Sequence, residues 1–254
     1  MAAQFQTWRI FSDTIPDTEQ NISIGDDEHH FVRNVLRLRA GETAEIVNGK
    51  GAIATAKLVE CRKHESIFDI VQRREQEKPP FSILLFVGTP KPSALEELIA
   101  VSTELGATQI HLMHTSKVQN KQEIRSDRMR RIMRESMRIS RSAWDTEIFL
   151  HKSIDDAIRH LPQHSTRVLC DESPIYEQHG NIQNHILSIL KRQTQTTTIA
   201  VFIGPEASFT NEERTHIATA ASAIPVTLGS HILRVPSAAA AATVLCLGFF
   251  TTRE

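Results

Sequence analysis

The chain has 254 residues, 40% of them apolar and 23% charged, so it can bury an ordinary core and is not a disordered polymer. Aromatic residues make up only 6%, which excludes extended base-stacking platforms, and a formal charge of −1 excludes a polybasic binder. Three widely spaced cysteines, Cys61, Cys170 and Cys246, offer neither a disulfide framework nor a CxxC metal pair.

Gln4–Phe11 reads as a strand, and Asp26–Leu38 as a turn or two of helix with Asp26 or Asp27 as N-cap and Gly41 past its end. Thr43–Val47, Ala52–Glu60 and Ser66–Val71 read as strands, the first two joined by Asn48-Gly49-Lys50-Gly51, a strong hairpin signal. Residues 1–74 therefore predict a small β-barrel-like module. Glu75-Gln76-Glu77-Lys78-Pro79-Pro80 is polar, then stiffened by two prolines, and is expected to link two domains.

From Phe81 the texture changes. Ser82–Val87 is a continuous apolar run, as in a buried parallel strand. A helix follows with Leu95, Leu98, Ile99, Ser102 and Leu105 on one face and Gly106 as its stop. Gln109–Met113, Arg167–Asp171, Thr198–Ile203 and Val226–Leu228 read as strands, Asp127–Ser140 and Ser237–Phe250 as helices. Strands alternating with helices predict an α/β domain over residues 81–254 with a mainly parallel sheet. The N-terminus carries no basic-then-apolar leader, and the longest apolar run, near Ala238–Phe250, is short for a bilayer span, so a cytosolic protein is expected.

Four segments carry candidate chemistry. Ile203-Gly204-Pro205-Glu206 ends a buried strand and leads, through Ala207-Ser208-Phe209, to a helix with a capping box at Thr210 and Glu213. Leu228-Gly229-Ser230-His231-Ile232-Leu233-Arg234 joins a strand to an alanine-rich helix opened by Pro236-Ser237-Ala238. Strand–helix loops of this kind line ligand sites at the carboxyl ends of α/β sheets, yet each is also an ordinary tight turn. Lys121–Ser142 holds eight basic residues against three acids, and Arg130, Arg134, Arg138 and Arg141 share a face opposite Met129, Ile132, Met133 and Met137. Arg33 and Arg37 are i, i+4 neighbours beside His30. Both basic faces suit phosphate contact and are equally readable as solvated surface. His29/His30, His111/His114 and His160/His164 lack further ligands at suitable spacing, so no metal is expected. No GxGxxG, Walker A, GxSxG or HExxH motif is present.

Taken in order, His30-Phe31-x-Arg33-x-Val35-Leu36-Arg37, Lys91 with Glu96, Thr103-Glu104-Leu105-Gly106, Ile203-Gly204-Pro205-Glu206 and Leu228-Gly229-x-x-Ile232-Leu233-Arg234 resemble the RsmE family of 16S rRNA uridine-N3 methyltransferases, in the SPOUT superfamily. The resemblance runs over essentially the whole chain. It implies an α/β fold, with an N-terminal PUA-like RNA-binding β-barrel and a C-terminal SPOUT domain closed by a trefoil knot. It implies a homodimer, S-adenosylmethionine as methyl donor and the small ribosomal subunit as partner, with no membrane. The cofactor would lie against Ile203, Gly204, Pro205, Glu206, Leu228, Gly229, Ile232, Leu233, Ser237 and Ala238. Arg234 is the catalytic candidate, stabilising charge on the target base, and Arg9, His30, Arg33, Arg37, Arg130, Arg134 and Arg138 are the RNA-binding candidates. The chain departs from the family pattern at Val101, Lys117, Ile139, Ser142, Ala207, Ser208 and His231. Ala207-Ser208 stands where the family usually has Gly-Gly, so a left-handed backbone there would be strained. Two other readings stay open: a catalytically weakened RNA- or ribosome-binding assembly factor of the same fold, and an unrelated α/β enzyme acting on a small phosphorylated substrate.

Overall fold

The computed structural model describes residues 8–17, 21–117, 125–171, 184–193 and 195–252. The chain divides into two compact units. The first comprises residues 1–78 and 137–145, the second residues 79–136 and 146–254. Segment 137–145 thus departs from the expectation that everything after the linker lies in the second domain.

The first unit holds strands β1 (Trp8–Phe11), β2 (Asn21–Ile24), β3 (Thr43–Val47), β4 (Ala52–Cys61) and β5 (Ser66–Glu75). Its sheet order is β1-β3-β4-β5-β2, with β1 parallel to β3 and the other pairs antiparallel. The expected barrel is thus, among the described residues, a mixed sheet with no ladder closing β1 onto β2. Alternation sends Ile46, Ala54, Ala56, Leu58 and Phe68 inward, each at most 1% exposed. Burying the larger of these stabilises the unit by roughly 1.5–3 kcal/mol apiece. The β3–β4 turn forms as its sequence predicts. Asn48 Oδ1 accepts hydrogen bonds from the amides of Lys50 (2.8 Å) and Ala52 (3.0 Å), and Gly49 and Gly51 take positive φ.

That turn also explains why 137–145 belongs to this unit. The amide of Asp145 donates to Gly49 O (2.9 Å), and that of Gly51 to Ala143 O (3.0 Å). A Cβ on Gly49 would collide with the Asp145 carboxylate, and one on Gly51 with the Trp144 ring. Two glycines chosen for the turn thus also let a distant segment lie flat on it, which no local pattern announces.

The helix expected over Asp26–Leu38 is shorter and wider. One turn, α1 (Asp26–His30), is capped by Gly25 rather than Asp26 or Asp27, and a π-helical stretch follows over Phe31–Leu36. It ends where Arg37 adopts the left-handed conformation (φ 53°). Val32 is buried beneath it, while Arg33, Asn34, Val35 and Arg37 are exposed.

The second unit holds β6 (Ser82–Gly88), α2 (Pro92–Glu104), β7 (Gln109–Met113), α3 (Ser126–Ser140, whose last residues from Met137 fall in the first unit), β8 (Glu147–His151) and α4 (Ile154–Ile158). It continues through β9 (Thr166–Cys170), β10 (Asn184–His185), α5 (Ile186–Leu190), β11 (Thr198–Ile203), α6 (Asn211–Ala220), β12 (Ile224–Thr227) and α7 (Val235–Thr251). Seven parallel strands run in the order β10-β12-β9-β11-β6-β7-β8. The central strands β6 and β11 are buried along almost their whole length, as apolar runs without alternation require. No helix among the described residues is long and apolar enough to cross a membrane.

Candidate functional site

The carboxyl ends of β9, β11 and β12 open onto a cavity of ≈ 440 Å³ in the second unit. That volume falls within the range of small-molecule sites. Three loops complete it: 89–91 before α2, 204–210 before α6 and 228–234 before α7. Parallel strands make this geometry unavoidable, because each crossover leaves its strand on the same side and several loops converge there.

Loop 204–210 is held rigidly. Gly88 lies so close to Pro205 that a Cβ would sit 2.5 Å from the proline Cδ. Ser208 N donates to Pro205 O (2.8 Å), and Ser208 takes a left-handed φ of 54°, the strain foreseen for a residue standing where the family has glycine. Lys117, also a departure from the family pattern, donates from Nζ to Ala207 O (2.8 Å). The capping box forms: Thr210 Oγ1 accepts from Glu213 N (3.1 Å) while Glu213 Oε2 accepts from Thr210 N (2.8 Å). Glu213 Oε1 also accepts from Ser116 N (2.7 Å). Glu206 Oε1 accepts from the amide of Lys91 (2.9 Å), the N-cap residue of α2. Glu206 therefore ties two cavity loops together.

Of the ten residues expected to hold a cofactor, Ile203, Gly204, Pro205, Glu206, Leu228, Ile232, Leu233 and Ala238 line the cavity. Gly229 and Ser237 do not line it. Gly229 instead supports the wall, because its amide donates to Thr227 Oγ1 (3.1 Å) and its carbonyl accepts from that hydroxyl (2.6 Å). Arg234 stands at the N-cap of α7 and lines the rim. Its side chain is 77% exposed, and its contact with Glu97 is a loose 3.7 Å.

Sequence reasoning missed a charged pair in the wall. Asp171 follows β9 directly and meets Arg214 of α6, Oδ1 to Nε, at 3.4 Å, with both side chains largely buried. The available signal was an aspartate closing a buried strand. Cys170 precedes it, and burial pushes its thiol up, so it is a neutral wall group rather than a nucleophile.

The RNA-binding candidates separate sharply. Arg9 is 4% exposed, pairs with Glu45 through Nη2 (2.9 Å) and donates from Nη1 to Ser142 O (2.8 Å). Burial lowers its pKa, an effect opposed by the bond to Glu45. Arg138 is also a structural residue. It pairs with Glu28, donates from Nε to Arg9 O (3.1 Å), and stacks its guanidinium on Phe31 and Phe11 at 4.2 and 5.0 Å. Neither side chain is presented to solvent as a phosphate contact would need. Arg134 is half-buried, and Met129, Met133 and Met137 form the buried face of α3. His30, Arg33, Arg37 and Arg130 are exposed. His29 is a core histidine, its Nδ1 2.9 Å from Ser66 Oγ.

Comparison with known proteins gives these features a context. A family model described as an RNA methyltransferase domain matches residues 77–246, and one described as an RNA methyltransferase PUA domain matches residues 24–71. The chain is 27% identical to a ribosomal RNA small subunit methyltransferase E of Rickettsia conorii, over 94% of this chain and 96% of that protein. It is 26% identical to one from a Synechocystis species, over 87% and 70%. A crystal structure of a ribosomal RNA small subunit methyltransferase E from Neisseria gonorrhoeae, bound to S-adenosyl methionine, superposes with a TM-score of 0.81 at 22% identity, over 95% of this chain and 97% of that one.

Proposed function

Because the chain belongs to the RNA methyltransferase domain family, we propose that it methylates N3 of a uridine in the 16S rRNA of the small ribosomal subunit, with S-adenosylmethionine as donor. The carrying observation is the cavity, whose walls are the loops that the family motifs occupy. Its residues fit the donor. Ile203, Leu228, Leu233 and Val235 offer apolar wall to a flat base, and Asp171 and Glu206 offer carboxylates to a cationic ligand. The bound donor supplies an electrophilic methyl carbon on a sulfonium.

The protein must then hold uridine N3 in line and stabilise the negative charge that spreads onto O2 and O4 as its proton leaves. Arg234 suits that role: it is at the rim, exposed, and only weakly engaged by Glu97. Glu206 acts as a brace between loops rather than as a base, since its Oε1 already accepts from Lys91. Exposed Arg33 on the π-helical turn and Arg37 at its C-cap supply RNA backbone grip in the first unit, and Arg130 adds a contact in the second.

The fold reading extends to a trefoil knot and a homodimer. The knot rests on the family resemblance and would lie in the C-terminal part of the second unit, where β12 pairs with β9 and β10. Helix α7 is apolar all round and leaves Ala240, Ala241, Val244 and Leu245 partly or fully exposed, as a subunit interface would.

The test is methyl transfer from labelled S-adenosylmethionine to small subunits lacking their native uridine-N3 methylation, with the product mapped by mass spectrometry. Methyl on one uridine N3 is the expected result. Cofactor binding without incorporation would favour the assembly-factor reading, and absence of RNA affinity the small-substrate one. Arg234→Ala should lower turnover by about 100-fold while leaving cofactor affinity nearly unchanged. Equal loss of both would overturn its catalytic role.

A further inference from the structure

A histidine cluster at the β8 edge of the sheet belongs to none of this chemistry. His111 on β7 is 2% exposed and stacks against Phe86 and Phe149 at 4.2 and 4.7 Å. His151 ends β8 and is 4% exposed. His160 lies just past α4 at the surface, its ring 4.6 Å from that of His151, and Asp156 of α4 faces both. None of the four lines the cavity at the loops.

For neutral rings, the hydrogen bonds select one tautomer each. Gln109 Nε2 donates to Glu147 Oε2 (2.8 Å), so Gln109 Oε1 faces His111 Nε2 (3.1 Å) and must accept. His111 therefore carries its proton on Nε2 and offers a lone pair at Nδ1. His151 Nε2 lies 2.9 Å from that atom and must donate, which leaves its Nδ1 as a lone pair. That atom faces Asp156 Oδ2 at 3.8 Å. His160 Nδ1 lies 2.9 Å from the carbonyl of Asp156 and must donate, which leaves Nε2 bare. Each neutral histidine thus keeps one nitrogen lone pair outside these bonds, and the two rings stand beside the Asp156 carboxylate. One ligand atom from each of the three lies within 4.8 Å of the others.

We propose that His151, Asp156 and His160 bind a divalent cation of the zinc class, held by three protein ligands with water completing the shell. A borderline-soft ion suits two neutral imidazoles and one carboxylate, and three such ligands plus water is a common zinc set. Each histidine donates its other nitrogen's proton to a fixed acceptor, the arrangement that orients metal-binding imidazoles. The Asp156 carboxylate accepts from the Lys152 amide (3.1 Å) and from Arg159 Nη2 (2.8 Å), which fixes its orientation. Exposed His160 leaves a route for the ion. The ion would clasp the end of the edge strand β8 to α4. The histidine pairs weighed from the sequence did not include His151 with His160, which are nine residues apart and are brought together by the strand-to-helix turn.

The test compares the full chain with His160→Ala after chelator treatment and dialysis against zinc chloride. Elemental analysis should find one more zinc ion per chain in the wild type, and zinc should raise the melting temperature of the wild type alone. Cobalt in place of zinc should give visible d–d bands that the variant lacks. Asp156→Asn is the second variant; it removes a charged ligand and should likewise lose the additional zinc ion. Because His160 is exposed, the metal-free variant should melt with the metal-free wild type. Equal zinc in wild type and both variants, or none in the wild type, would overturn the site.

Discussion

The two units use charge in opposite ways. In the first, Arg9 and Arg138 are drawn inward to Glu45 and Glu28, and Glu45 also accepts from Arg74 and Arg141. In the second, among the described residues, most charges around the cavity (Lys91, Glu206 and Arg234) stand at its rim, while Asp171 and Arg214 form a buried pair in its wall. A small sheet with one modest core recruits ion pairs as part of its packing. A seven-stranded parallel sheet buries enough apolar surface to leave its charges for a ligand. An arginine near an RNA-binding module is therefore not by that fact an RNA-binding arginine.

Removing Arg138 should break this contrast most severely. Arg138→Ala removes the cation from the Glu28 carboxylate, whose side chain is 14% exposed and which keeps the bond from the Phe11 amide (3.0 Å), and takes the guanidinium off the Phe11 and Phe31 rings. We expect a loss of about 3 kcal/mol, read as a lowered urea midpoint. Arg33→Ala combined with Arg37→Ala is the counterpart. Both side chains are exposed, so stability should change by less than about 0.5 kcal/mol. RNA affinity should fall instead, and its logarithmic salt slope should shrink by about 1 for each phosphate no longer neutralised. If Arg138→Ala weakened RNA binding without destabilising the fold, the division between buried structural arginines and exposed RNA-binding ones would be wrong.

Much of the fold is legible in the chain because local pattern and global burial agree. Thr43–Val47, Gln109–Met113 and Thr198–Ile203 have the expected limits. The misses share a cause. Strand β8, Glu147–His151, is an edge strand with Leu150 exposed at 51%, so it lacks the apolar run that marks β6 and β11. Short β2, β10, α4 and α5 offer too few residues for a period to show. Residues 4–7 of the first expected strand lie outside the described residues. The cavity loops are legible because strand–glycine–helix punctuation is local. The Asp171–Arg214 pair, the inward turn of Arg9 and the meeting of His151 with His160 are not, because each joins residues from separate elements.

The smallest expected effect tests the second unit's loop. Ser208 sits at φ 54°, where an L residue is strained, while Ala207 is not among the residues with positive φ. Restoring glycine at the two positions should therefore have opposite consequences. At Ser208 it relieves about 1 kcal/mol of left-handed strain, part of which is returned as greater freedom of the unfolded chain. The bond from residue 208 N to Pro205 O is a backbone bond and survives the change. At Ala207 there is no strain to relieve, and glycine adds only unfolded-state entropy, a loss of about 0.5–1 kcal/mol. Ser208→Gly should then raise the melting temperature slightly and Ala207→Gly should lower it, with cofactor affinity little changed in the first because the loop already has the shape that glycine allows. If both substitutions lowered the melting temperature equally, the loop would not be held in its left-handed turn in solution, and its brace to Lys117 through Ala207 O would have to be reconsidered.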